Sequence, residues 1–161
     1  MNNNSVARVS VIMSYHQVAV LSTTFLLSIS SVWAQQAVPE IQRLSAEDLA
    51  GSVFEHPNTQ RLPEVSEVGE TQALDRLWHE SGDGCLQTGF YETGPNRYTV
   101  KDPYPYDELM LFFEGGVTLT PSDGTAVKVI AGDTVLLPKG WTGIWESDGY
   151  RKMYVIYDCP K

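Results

Sequence analysis

The sequence predicts an all-β sandwich or barrel, and three observations predict it. Short apolar runs of strand length recur from Gly84 onward, spaced about 8–12 residues apart. Clusters of Gly, Pro, Asp and Asn separate them. Between them lies no amphipathic run long enough for a crossover helix, which excludes a parallel α/β sheet. The first run is Leu86–Glu92, closed by Thr93-Gly94-Pro95-Asn96, and Arg97–Lys101 follows as far as Pro103 and Pro105. Glu108–Phe113 stops at Glu114-Gly115-Gly116, and Val117–Thr120 runs to the turn Pro121-Ser122-Asp123-Gly124. Ala126–Ile130, Thr134–Leu137, Trp141–Glu146 and Arg151–Tyr157 complete the set, divided by Ala131-Gly132-Asp133, Pro138-Lys139-Gly140 and Ser147-Asp148-Gly149.

The region before the strands reads differently. Ser45–Leu49 predicts a short helix with Ser45 as N-cap and Asp48 three residues on. Residues 51–70, with Gly51, Pro57, Pro63, Gly69 and four glutamates, read as an irregular acidic arm. A second short helix or turn is expected over Thr71–His79, where Leu74, Leu77 and Trp78 share a helical face.

The chain has 161 residues and a net charge of −9, enough for one domain with a core of its own. An acidic chain without a basic cluster excludes nucleic acid and anionic membrane as partners. Three His and two Cys are too few for a zinc ribbon or finger. Residues 1–34 read as a signal peptide. Arg8 precedes the apolar stretch Val18–Ile29, which is too short to span a bilayer, and Val32 and Ala34 occupy the −3 and −1 positions of a cleavage site. Either Met1 or Met13 starts the chain. Cleavage after Ala34 removes 34 of 161 residues and leaves 127; losing Arg8 takes the charge from −9 to −10. The expected organisation is a signal peptide at 1–34, an N-terminal arm with a short helix at 35–74, and a barrel domain at 75–161. The expected location is periplasmic or secreted, with no membrane span after cleavage. In an oxidising compartment Cys85 and Cys159 are candidates for one disulfide, closing a loop of about 75 residues; two buried thiols are the alternative.

Two runs carry a family resemblance. Tyr104-Pro105-Tyr106-Asp107-Glu108-Leu109-Met110-Leu111-Phe112-Phe113-Glu114-Gly115 resembles the first cupin motif, with six residues between Glu108 and Gly115. Gly132-Asp133-Thr134-Val135-Leu136-Leu137-Pro138-Lys139-Gly140 resembles the second. The closing stretch, with Trp141, Gly143, Trp145, Glu146, Arg151, Lys152 and Tyr154, is similar to the small cupins related to (S)-ureidoglycine aminohydrolase and the ethanolamine-utilisation cupins. The resemblance covers roughly residues 75–158. It implies a jelly-roll barrel with a pocket in its mouth, in a family where dimers are frequent, so a homodimer is among the expected partners.

Many cupins bind a divalent metal through three His and one Glu. Glu108 matches the Glu. The first-motif His positions fall on Asp102 and Tyr104, or on Lys101 and Pro103, and the second-motif position falls on Gly143. The three-His site therefore cannot form from these residues, and no cofactor is expected. Weak divalent binding through Glu108 with Asp102 or Asp107, or with His79 swinging in, is the alternative.

Alternation places Glu108, Met110 and Phe112 on one strand face. Pairing the last two strands around Ser147–Tyr150 sets Trp145 opposite Lys152, with Tyr154 on the same face. Arg151 and Glu146 then form an exposed pair. Glu108 and Lys152 are thus the candidate catalytic or acid/base residues. Tyr104, Tyr106, Met110, Phe112, Trp141, Trp145 and Tyr154 are the candidate ligand-binding residues. The leading functional reading is an exported cupin that binds a small polar or aromatic molecule. One alternative is an enzyme on small nitrogen compounds or sugar derivatives, aminohydrolase- or isomerase-like. The other is a module that captures a partner through the acidic arm.

Overall fold

The computed structural model describes residues 40–159, and the expected signal peptide lies outside them. Helix α1 (Ala46–Leu49) is closed by a capping box, in which the Ser45 side chain accepts from the Asp48 amide and the Asp48 carboxylate accepts from the Ser45 amide. A 3-10 turn follows at Ser52–Glu55. Among the described residues no helix is long and apolar enough to cross a membrane.

Nine strands follow: β1 (Gln60–Ser66), β2 (Gly69–Glu80), β3 (Leu86–Thr93), β4 (Asn96–Val100), β5 (Asp107–Pro121), β6 (Val127–Ile130), β7 (Thr134–Leu137), β8 (Gly143–Ser147) and β9 (Tyr150–Tyr157). Their pairing order is β1-β2-β3-β9-β5-β8-β4, all antiparallel, with β6 and β7 also paired to β5. The result is a curled antiparallel half-barrel of two sheets joined by β5. The first half of β5 pairs with β7 and β9, and the second half with β6 and β8. A bulge between Phe112 and Glu114 and a positive φ at Gly115 turn the strand from one sheet to the other. A Cβ at Gly115 would stand 2.0 Å from the Gly149 carbonyl oxygen, so only glycine fits this crossing.

Three sequence expectations need correction. Residues 60–80 are not an irregular arm with a helix at Thr71–His79; they are β1 and β2, and the expected boundary at 74/75 falls inside β2. Leu74, Leu77 and Trp78 do fit a helical stripe. Pairing with β1 on one side and β3 on the other overrides that local preference. Pro63, which lacks a ladder donor, is tolerated because β1 is an edge strand. Second, Glu108–Phe113 and Val117–Thr120 are one strand, because the glycine pair bends β5 without ending it. Third, β8 and β9 share no ladder: β8 pairs with β4 and β5, β9 with β3 and β5. The turn at Asp148-Gly149 carries the chain between sheets.

The core lies between the sheets and consists of Met110, Phe112, Val117, Leu119, Val129, Leu137, Trp145 and Tyr150. On the outer face Arg151 pairs with Glu92 at 2.6 Å and Glu114 at 2.9 Å, and donates to the Ala50 carbonyl oxygen at 2.8 Å. The expected Arg151–Glu146 pair is therefore absent; Glu146 lies 3.8 Å from Arg97 instead. The side chain of Glu67, just beyond β1, accepts from the Thr99 amide, and the Glu67 amide donates to the Arg97 carbonyl, tying β1 to β4. Cys85 and Cys159 are joined as a disulfide with Cα atoms 4.3 Å apart. The link sits where the Asp158 amide donates to the Cys85 carbonyl, at the shared end of β3 and β9.

Candidate functional site

The register of β5 against β9 builds the site. Glu108, Met110 and Phe112 stand opposite Ile156, Tyr154 and Lys152, on the face turned toward the other sheet. Glu108 is 3% exposed and Lys152 6%, so both charges are inside. Lys152 Nζ donates to Glu108 Oε1 at 2.7 Å and to Met110 Sδ at 3.0 Å. The Tyr104 hydroxyl donates to Glu108 Oε2. A buried ion pair survives desolvation only when its remaining valences are met this way. The Lys152 ammonium also faces the rings of Trp145, Tyr150 and Tyr91, at 5.1, 5.7 and 6.0 Å from their centroids.

Lys152 and Trp145 thus meet across the interior from different sheets, not as neighbours on one hairpin. Met110, Phe112, Trp145 and Tyr154 are buried; Tyr104, Tyr106 and Trp141 are half-buried. Tyr104 and Tyr106 pack edge to face, with centroids 5.0 Å apart. The Tyr104 amide donates to the Trp141 carbonyl and the Gly140 amide to the Tyr104 carbonyl, so the two loops are latched to each other. Burial first, and then the charge of Glu108, push the phenols of Tyr104 and Tyr106 above their ordinary range. Both therefore stay protonated.

Four contributors escaped the sequence reading. The Tyr154 hydroxyl donates to Asp75 Oδ1 at 3.0 Å, which brings β2 into the site. Gly89 makes this reach available, because a Cβ there would lie 2.3 Å from the Tyr154 hydroxyl oxygen. Burial raises the Asp75 carboxyl above its ordinary value of 3.8, against the opposing effects of Tyr154 and the Lys152 charge. Glu64 of β1 accepts from the Tyr98 hydroxyl at 2.6 Å and from Thr93. Tyr150 and Tyr91 complete the aromatic wall around Lys152. Extending the alternation one step back from Lys152 reaches Tyr150, and reading 71–79 as a strand puts Ala73, Asp75 and Leu77 on one face.

The fit of a metal can be judged from these donors. Both carboxylate oxygens of Glu108 are engaged, one by Lys152 and one by Tyr104. At Gly143 a Cβ would lie 2.2 Å from the Thr120 carbonyl oxygen, so no imidazole fits there. Asp102 is exposed, and His79 pairs with Thr88 on the opposite face of the sheet from Glu108. Among the described residues no three His, Cys, Asp or Glu side chains converge on a common point. The residues present do not fit the three-His metal site. An open groove of about 900 Å³, walled by residues such as Thr99, Lys101, Thr120 and Thr142, shares none of the site residues.

The two-sheet barrel and its inward Glu108 define a small cupin domain. Residues 80–154 match the family profile of the EutQ-like cupin domain, and this stretch of the chain belongs to the cupin superfamily. A Pseudomonas syringae pv. tomato protein of unknown function from the DUF861 family is similar in structure, with 25% identity and a TM-score of 0.56. The match covers 61% of this chain, which spans 43% of that protein. A putative ethanolamine utilization protein Q from Salmonella typhimurium aligns at 17% identity and a TM-score of 0.47, covering 65% of this chain and 98% of that one. The Clostridium difficile EutQ protein aligns at 20% identity and a TM-score of 0.43, over 65% and 72%. No curated protein matches.

Proposed function

We propose that the protein is an exported small-molecule-binding cupin whose ligand meets the inner-face residues around Glu108 and Lys152. One observation carries the reading. Glu108, the residue at the cupin ligand position, is committed to Lys152 and Tyr104, and that leaves an aromatic and hydrogen-bonding site in place of a metal centre. Half-buried Tyr104, Tyr106 and Trp141 supply ring faces at its rim. Export rests on the leader-like residues 1–34, and the Cys85–Cys159 bridge fits an oxidising compartment.

The test is a thermal-shift screen of the purified protein against organic acids, amines, ureides and sugars, with metal analysis of the same sample. The expected result is stabilisation by one class, lost in Tyr106→Ala. No stabilisation by any class overturns the binding reading, and a stoichiometric metal that disappears in Glu108→Ala overturns the metal-free one. The hydrogen-bonded chain Tyr104–Glu108–Lys152 favours a second reading, acid/base catalysis on the same ligand. Turnover of a screen hit, abolished by Glu108→Gln, separates catalysis from binding.

A further inference from the structure

A chain of contacts runs from the disulfide to the rim of the site. Asp158 lies one residue past β9 and next to Cys159, and its amide donates to the Cys85 carbonyl oxygen at 3.0 Å. Its carboxylate pairs with Lys139 Nζ at 2.7 Å. Lys139 stands in the loop between β7 and β8, and its own amide donates to Asp107 Oδ1 at 2.9 Å. In the same loop the Gly140 amide donates to the Tyr104 carbonyl oxygen at 2.7 Å, and the Trp141 carbonyl oxygen accepts from the Tyr104 amide at 2.9 Å. The Tyr104 hydroxyl ends the chain on Glu108.

The link between Lys139 and Asp158 is conditional. Their side chains are 57% and 47% exposed, and an exposed pair gains little unless its members are already held in place. Asp158 is held from one side by β9 and from the other by the bridge through Cys159. With the bridge open, only the hydrogen bond from the Asp158 amide to Cys85 fixes the segment beyond Tyr157, so the ion pair must order that segment itself. Cys159 is exposed, within reach of a small dithiol. One thiolate of the dithiol attacks a bridge sulfur and breaks the S–S bond, and its second thiol displaces the mixed disulfide. Two electrons and two protons pass to the cysteines, which end as thiols, while the reductant leaves as a cyclic disulfide. We propose that the Cys85–Cys159 bridge is a redox switch for the rim of the site. Closed, it holds Lys139 through Asp158 and latches loop 138–141 to Tyr104; opened by a dithiol, it loosens that latch. Control of ligand entry by the switch rests on the binding reading above, whereas the latch itself does not.

Amide hydrogen exchange of the purified ¹⁵N-labelled protein reads the latch without any ligand, so its outcome is separate from that of the thermal-shift screen. Dithiothreitol, with reduction confirmed by thiol titration, speeds exchange at Gly140 and Tyr104 by about two- to fivefold, the worth of an exposed ion pair. Lys139→Met shows the same gain with the bridge intact, and dithiothreitol then adds nothing further at those two amides. A bridged Lys139→Met protein that exchanges at the parent rate overturns the proposal, whether or not the reduced protein stays folded. So does a dithiothreitol effect as large in Lys139→Met as in the parent, which marks a general loosening of the fold.

Discussion

Replacing Lys152 by Met keeps the length of the side chain and removes the charge. Glu108, 3% exposed, then has only the Tyr104 hydroxyl as partner. Breaking a buried pair from one side costs about 3–5 kcal/mol, since an uncompensated charge is left in a poor dielectric. For a domain of this size each kcal/mol is about 3–5 °C in Tm, so the expected drop is roughly 10–20 °C. Urea unfolding followed by tryptophan fluorescence measures it as a lower midpoint at unchanged slope. Adding Glu108→Gln removes the stranded charge and restores most of the loss, so the double variant is more stable than Lys152→Met alone. A single-variant loss under about 1 kcal/mol, the size of a surface pair, refutes the burial argument. A double variant that loses the sum of the two single effects refutes the coupling.

The disulfide and the Asp75 carboxyl each give a further expected outcome. The bridge between Cys85 and Cys159 spans 74 residues, and the chain-entropy relation gives about 4 kcal/mol for a loop of that length. Cys85→Ser with Cys159→Ser lowers the urea midpoint accordingly and dithiothreitol reproduces the drop in the parent; insensitivity of the parent to dithiothreitol means that no bridge forms. Asp75 has its folded-state pKa raised by burial, so between the ordinary value of 3.8 and that raised value the native state binds more protons than the unfolded one. Its contribution to stability therefore falls as pH rises through that window. Asp75→Asn, whose amide oxygen still accepts from Tyr154, gains on the parent as pH goes from 4 to 7 in paired urea titrations; a constant difference across that range contradicts the assignment.

The barrel strands from Leu86 onward were legible because their turns are written in glycine, proline and aspartate and their faces alternate. The cap at Ser45 was legible for the same local reason, since Ser45 and Asp48 satisfy each other within one turn. Three features were set by distant partners. β2 is a strand because β1 and β3 flank it, although Leu74, Leu77 and Trp78 alone suggest a helix. β5 stays one strand because Gly115 bends without breaking it. Lys152 finds Trp145 across two sheets, a relation no hairpin register encodes. Asp75 went unseen with β2, because a residue assigned to a helix has no barrel face to occupy.

Gly143 bears on how freely this barrel can change its chemistry. At that position a side chain of any kind would collide with the Thr120 carbonyl, and that carbonyl belongs to the strand joining both sheets. A histidine cannot be placed there by one codon change; the end of β5 would have to move first, and the pairing of Pro121 with Gly143 would go with it. The backbone thus acts as a ratchet. Substitutions that tune the aromatic wall are open to the protein one at a time, whereas the route to a three-histidine metal centre passes through a misfit barrel.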